Sequence, residues 1–218
     1  MQAPTMKASY PLAYEVASAP EQDWIAFLPV VTSPPLLVAD FSSCDSTNNL
    51  GGIMGAAFIP PENQVIESYE DSCEGPSCDD KLLKDCMVRI EYHIKDWGAF
   101  WLKLEHANLS KLSKLIFDIK GVETVGIPEK IKIEIKRDCL EEGDGFVCDE
   151  IEIYHFEGTT GKWQRNVELK LSEFEPVDWP GFSGIQDWSD IEELVFTFEV
   201  LNSGPDGAIY LDNIRFGY

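Results

Sequence analysis

From Gly207 to Tyr218 the chain reads G-A-I-Y-L-D-N-I-R-F-G-Y. Read as a strand, its alternate residues Ala208, Tyr210, Asp212, Ile214 and Phe216 share one face, because side chains on a strand alternate. That face is apolar except at Asp212, and Asn213 falls on the opposite face. A carboxylate in an apolar register needs a reason, and the rest of the chain supplies the context.

Working back from this stretch, the same period of two recurs. In M-V-R-I-E-Y-H-I-K (87–95), Val88, Ile90, Tyr92 and Ile94 alternate with Arg89, Glu91, His93 and Lys95. Runs at 36–41, 55–59, 99–104, 114–120, 130–136, 150–156, 163–171 and 193–200 repeat the theme between turn residues, giving ten short strands with the closing one. N-L-S-K-L-S (108–113) and D-W-S-D-I-E (187–192) are the helical turns expected. No helix intervenes to build βαβ units, so the strands are expected to form antiparallel sheets stacked as a sandwich. This predicts an all-β, two-sheet domain over 36–218. Residues 1–35, rich in Ala, Pro and Ser, read as a tail or linker. The patch W-I-A-F-L-P-V-V (24–31) within them could add a strand to this domain or to a protein neighbour.

Composition narrows the function. The 218 residues are 44% hydrophobic and 11% aromatic, enough for a full core. A formal net charge of −22, with basic residues interleaved among acids, argues against nucleic acid and anionic membrane surfaces. No apolar run approaches the ~18–20 residues of a membrane span. The first ten residues lack the pattern of a signal peptide, so a mature form or a piece of a longer protein is expected. Cys139 and Cys148 flank E-E-G-D-G-F-V between two strand-like runs, where a hairpin could bring them within bridging distance. Cys44, Cys73, Cys78 and Cys86 have no pairing fixed by sequence, since six cysteines allow 15 connectivities. Zinc is the rival reading for Cys73 and Cys78, but there is no second close pair and there are only three histidines. Disulfides are favoured, and with them an oxidising, extracellular or cell-surface setting.

Catalysis has little support. His93, His106 and His155 lie on or beside strands with no G-x-S-x-G or H-E-x-x-H around them. Among 39 acids, paired carboxylates distinguish nothing. The aromatics are more informative. Trp97, Phe100 and Trp101 cluster in K-D-W-G-A-F-W-L-K-L, Tyr154 lies on a mixed strand, and Trp163 follows G-T-T-G-K. A sugar presents a C–H face that stacks on Trp or Tyr, and hydroxyls that suit Arg, His and carboxylates. The candidate ligand-binding residues are therefore Arg89, His93, Trp97, Trp101, Tyr154 and Trp163. The sequon Asn108-Leu109-Ser110 bears on the protein only where the source glycosylates.

The ordered series N-N-L-G-G-I-M-G, V-R-I-E-Y-H-I, W-G-A-F-W-L-K-L, N-L-S-K-L-S-K-L-I-F-D-I-K-G, G-T-T-G-K-W-Q-R-N-V-E-L-K-L-S-E-F, D-W-S-D-I-E-E-L-V-F-T-F-E and I-Y-L-D-N-I-R-F resembles galactose-binding-like jelly-roll modules. Over 36–218 it is similar to family 11 carbohydrate-binding modules. The resemblance implies a non-catalytic module that stacks a polysaccharide or oligosaccharide on a concave sheet. It also implies a structural calcium that draws on Asp40 and Asp212. The segment 68–86, with three cysteines, departs from the short loop usual there. A different class of function is a structural subunit of an extracellular assembly, linked by strand exchange through residues 1–35 and binding no sugar.

Overall fold

The computed structural model of the protein describes residues 34–71, 86–142 and 145–218. The tail expected over 1–35 lies almost wholly outside these residues, as do Cys73 and Cys78. Twelve strands form among the described residues: β1 (Leu36–Ala39), β2 (Met54–Phe58), β3 (Gln64–Asp71), β4 (Cys86–His93), β5 (Trp97–Ala107), β6 (Lys114–Gly121), β7 (Lys130–Glu142), β8 (Gly145–Glu157), β9 (Gln164–Lys170), β10 (Glu175–Pro176), β11 (Ile191–Glu199) and β12 (Asp206–Gly217). The first sheet runs β3-β4-β12-β6-β9, with β1 also paired to β12, and the second runs β10-β8-β7-β11-β5-β2. Every pairing between these strands is antiparallel. The expected two-sheet β-sandwich is the fold observed.

Alternation builds the core. Phe100, Leu102 and Leu104 of β5, Ile131, Ile133 and Ile135 of β7, and Leu194, Phe196 and Phe198 of β11 turn inward from the second sheet and are fully buried or nearly so. Val88, Ile90, Tyr92, Leu115, Phe117, Ile119, Ile209 and Leu211 meet them from the first. Phe117 stands edge-on to both Phe156 and Phe196, at 5.6 and 5.7 Å between ring centres. Tyr92 stacks on Phe198 at 4.4 Å and donates its hydroxyl to the Ser203 carbonyl at 2.8 Å, so its polar tip is satisfied inside the core.

Two strands lie outside the sequence reading, β3 and β10. In β3, Glu and Ser weaken the hydrophobic rhythm, and among the described residues the strand is paired on one side only. The helical turns expected at 108–113 and 187–192 are irregular. Among the described residues the helical ones are instead a 3-10 turn, Leu171–Glu173, and one α turn, Val200–Ser203.

The closing strand corrects the opening expectation. Asp212 pairs with Asp118, and Arg215 then pairs with Ile116, so β12 carries one residue more than β6 between those positions. Asn213 occupies that bulge with φ 53°, a left-handed conformation that Asn tolerates better than most residues. The bulge reverses the phase. Ile209 and Leu211 face inward before it and Ile214 and Phe216 after it, so Ala208, Tyr210 and Asp212 do not share a face with Ile214 and Phe216. Asp212 lies on the outer face and breaks no apolar register.

Disulfides close two regions. Cys139 and Cys148 are directly opposed across the β7–β8 hairpin and bonded, as the spacing predicts. Cys44, in the turn after β1, is bonded to Cys86 at the start of β4.

Candidate functional site

The six sequence-derived ligand residues divide among the two outer sheet faces and the interior. Trp97 and Trp101 lie on the outer face of the second sheet, four residues apart on β5, about 13 Å along the strand. Tyr154 pairs with the buried Ile133, turns between the sheets and packs on Phe174 at 5.3 Å. Arg89 and His93 lie on the outer face of the first sheet, where Tyr210 brings Trp163 alongside at 6.3 Å. The alternation of β4 and β5 fixes which residues point outward, but the sandwich puts the two strands in different sheets.

The outer face of the second sheet can be mapped from its registers. Between Trp97 and Trp101 the floor is made of small residues: Ala57 pairs with Ala99, and Gly55 with Trp101. On the far side of β5 the rows continue through Val195 and Thr197 of β11 to Glu134 and Lys132 of β7. K-I-K-I-E-I-K sends its isoleucines inward and so must present Lys132, Glu134 and Lys136 outward. E-L-V-F-T-F-E presents Glu193 and Glu199 for the same reason.

These charges interlock. Lys103 meets Glu193 at 3.0 Å, Glu193 meets Lys136 at 3.6 Å, Lys136 meets Glu134 at 3.1 Å, Glu134 meets Lys132 at 3.1 Å, and Lys132 meets Glu199 at 2.6 Å. Thr197 donates its hydroxyl to Glu134 at 2.9 Å, and Asn202 donates to Glu199 at 2.7 Å. Opposite charges across neighbouring strands stabilise a sheet, and three carboxylates alternate here with three ammonium groups. Burial alone would raise the Glu134 pKa, but Lys136, Lys132 and the Thr197 hydroxyl outweigh it and hold it below the ordinary value. Burial likewise opposes charge on Lys132, yet Glu134 and Glu199 hold its pKa above the ordinary value. Glu134 and Lys132 therefore face each other as an ion pair at neutral pH.

Aromatic rings border the ladder at both ends. The Lys103 ammonium lies 5.9 Å from the centre of the Trp101 ring, and that of Lys132 lies 6.0 Å from Trp179. Trp179, on the segment after β10, is 63% exposed and is held edge-on by Phe182. The face combines ring surfaces with a row of alternating donors and acceptors. Trp179, a loop aromatic of D-W-P-G-F-S-G-I-Q-D-W-S-D in the sequence, and the ladder residues were not among the candidate ligand residues. K-I-K-I-E-I-K shows the alternation of signs, but only the order β5-β11-β7 shows that three strands share it.

The outer face of the first sheet is organised differently. Asp118 accepts from the Asn166 amide at 2.6 Å, from Arg165 at 2.9 Å and from Asn213 Nδ2 at 3.0 Å. A second bulge places Asn166 there, with φ 54°. Arg165 also faces Asp212 at 3.6 Å and lies 4.2 Å from the centre of the Trp163 ring. Burial would raise the Asp118 pKa, but these donors and the guanidinium hold it below the ordinary value. Arg89 pairs with Glu91, while His93 sits between Asp206 at 2.8 Å and Glu91 at 3.1 Å.

The two carboxylates named for calcium have partners of their own. Asp40 accepts from the Ser42 amide, the Ser42 hydroxyl and Asn49 at 2.8–3.1 Å. Asp212 accepts from the Asn213 amide at 2.7 Å and faces the guanidinium of Arg165. That guanidinium supplies the positive charge a calcium ion would bring, so the surroundings of Asp212 do not fit the ion. Among the described residues no group of three or more His, Cys, Asp or Glu side chains is arranged to hold a metal. Among them, too, no helix is long and apolar enough to cross a membrane.

Fold and face together define a jelly-roll sandwich with an aromatic, charge-laddered sheet surface. No protein-family model matches the chain, and no curated protein matches its sequence. Solved structures do match. A family 11 carbohydrate-binding module of a cellulosomal cellulase of Clostridium thermocellum aligns with a TM-score of 0.60 at 19% identity, covering 84% of this chain and 94% of that one. A family 11 module from Clostridium thermocellum in complex with a β-1,3-1,4-mixed-linked tetrasaccharide aligns with a TM-score of 0.58 at 19% identity over the same shares, 84% and 94%. The chain thus has the fold of family 11 carbohydrate-binding modules, as the sequence resemblance implied.

Proposed function

We propose that the protein is a non-catalytic, extracellular carbohydrate-binding module, and that the outer face of its second sheet holds an oligosaccharide or polysaccharide. The observation that carries this is the set of Trp97, Trp101 and Trp179 around one ladder of paired Lys and Glu. A sugar ring stacks its C–H face on indole, while its hydroxyls both donate to carboxylates and accept from ammonium groups. The shared fold with modules of this kind, one of them in complex with a tetrasaccharide, supports the reading. Cys44–Cys86 and Cys139–Cys148 support an oxidising compartment.

Affinity electrophoresis in gels containing mixed-linked β-glucan, mannan or galactan tests the proposal. Retardation by at least one polysaccharide, reduced in Trp101→Ala and Trp179→Ala, is expected. Equal mobility in every gel overturns it. A structural calcium is a separate proposal, confined to the oxygen-rich turn around Asp40. It requires a melting temperature that falls when the protein is treated with chelator and recovers when calcium is restored.

A further inference from the structure

Gly55 is buried within β2, the last strand of the second sheet among the described residues, where a glycine forfeits packing and adds chain entropy to the unfolded state relative to alanine. Its backbone is not left-handed, so nothing in φ demands a glycine. The demand comes from the neighbouring strand. A Cβ at position 55 would stand 3.0 Å from Cζ2 of Trp101, 3.4 Å from Cε2 and 3.7 Å from Cη2. The benzo ring of Trp101 therefore lies directly against the glycine of its own cross-strand pair. Ala57 and Ala99 keep the next row equally low. On the other side, Lys103 stands 5.9 Å from the ring centre and is tied to Glu193.

We infer that Gly55 is a positioning residue of the carbohydrate site: the missing side chain lets the Trp101 indole lie down across β2 as a stacking platform. A side chain at 55 would lift the ring from the strand and change the surface a sugar meets. This rests on the carbohydrate-binding reading of the same face, and it adds a residue that touches no ligand itself. It also places one end of the ligand at β2, the last strand of that sheet among the described residues.

The test is a double-mutant cycle on the intact chain. Wild type, Gly55→Val, Trp101→Ala and the double variant are titrated with the polysaccharide that retards wild type most, starting with mixed-linked β-1,3-1,4-glucan. Melting temperature and near-UV circular dichroism are recorded for each. Gly55→Val is expected to weaken binding by roughly tenfold, the equivalent of ~1.4 kcal/mol, and to change the near-UV spectrum. In the Trp101→Ala background the same change is expected to cost less than about twofold, because contacting residues are non-additive. Gly55→Ala, with a smaller intrusion, falls between Gly55→Val and wild type. Unchanged affinity in Gly55→Val overturns the inference, and so does an equal loss in both backgrounds, which would mean general distortion. If wild type binds no polysaccharide, the carbohydrate reading itself fails. The near-UV comparison then still shows whether Gly55 sets the Trp101 ring.

Discussion

On the outer face of the first sheet, Asp118 and Asp212 have side chains only 6% and 4% exposed, and they share the guanidinium of Arg165. On the outer face of the second, three lysines and three glutamates alternate across β5, β11 and β7, with tryptophans at the borders. The first arrangement occupies its own hydrogen-bonding capacity. Asn166, Asn213 and Arg165 are all turned onto Asp118, and Arg215 holds Asn166 in turn. The second leaves ring surface beside its polar groups. Both faces carry charge and rings, Arg165 lying against Trp163 on the first; what sets the first apart is that its polar groups pin two bulges of the backbone. Substitutions that affect stability should therefore separate from those that affect binding.

Arg165→Met should have the largest effect, and on stability alone. It leaves two buried carboxylates facing each other without their shared cation. Breaking a fully buried pair costs about 3–5 kcal/mol, and the half-exposed guanidinium reduces this to about 2 kcal/mol. A fall of roughly 4–8 °C in melting temperature is expected for a chain of this length, with binding to the retarding polysaccharide unchanged. Loss of binding at full stability would move the functional site to the first sheet.

Trp179→Ala is the converse. The ring is 63% exposed, so the melting temperature should move by no more than about 1 °C, while affinity falls about three- to tenfold, the range of an aromatic stacking contact. If the melting temperature drops and affinity does not, the ring is packing material and the comparison between the faces fails.

Asn213→Ala tests whether the bulge needs its left-handed residue. Forcing a β-carbon residue other than Asn into that region costs about 1 kcal/mol, and losing the bond to Asp118 costs about 0.5 kcal/mol more, so a fall of about 3–6 °C is expected. Asn213→Gly, which accepts the conformation but not the hydrogen bond, should fall less. Equal losses in both would assign the whole effect to the side chain.

The same residue marks where sequence reading stops. Period two in K-I-K-I-E-I-K and V-R-I-E-Y-H-I was enough to give strands, their inner faces and the sandwich, because each strand there is regular. In L-D-N-I-R-F the period changes phase at Asn213, and no composition cue separates a bulged Asn from one on a continuous strand. Trp97 and Trp101 were legible as candidates by their aromatic chemistry, but that both face outward from one strand follows from the register of β5. That Arg89 and His93 belong to the other sheet depends on strand order, which local pattern does not encode. Trp179 lies on an irregular segment with no period at all, and Gly55 acquires meaning only from the ring across from it. Cys139 and Cys148 were legible because their partners are close in sequence, while Cys44 and Cys86 are 42 residues apart.

His93 offers the smallest and sharpest test of the first face. Both of its ring nitrogens face carboxylates, Asp206 at 2.8 Å and Glu91 at 3.1 Å, and a carboxylate only accepts. A neutral imidazole can satisfy one of them, an imidazolium both. The hydrogen bond to Asp206, followed by that to Glu91, accordingly raises the His93 pKa above its ordinary value despite partial burial. A raised histidine pKa stabilises the fold fully below the unfolded value of about 6.5, and the contribution is lost as pH climbs through the folded value. Melting temperature should fall slightly from about pH 6 to about pH 9, and His93→Gln should flatten that slope. The side chain is 46% exposed, so solvent screening keeps the change to a few degrees at most. Sugar affinity should stay level over the same interval, because the ladder on the other face pairs a carboxylate held below its ordinary pKa with an ammonium held above its own. A binding curve that followed the His93 titration would tie the two faces together and break the separation drawn between them.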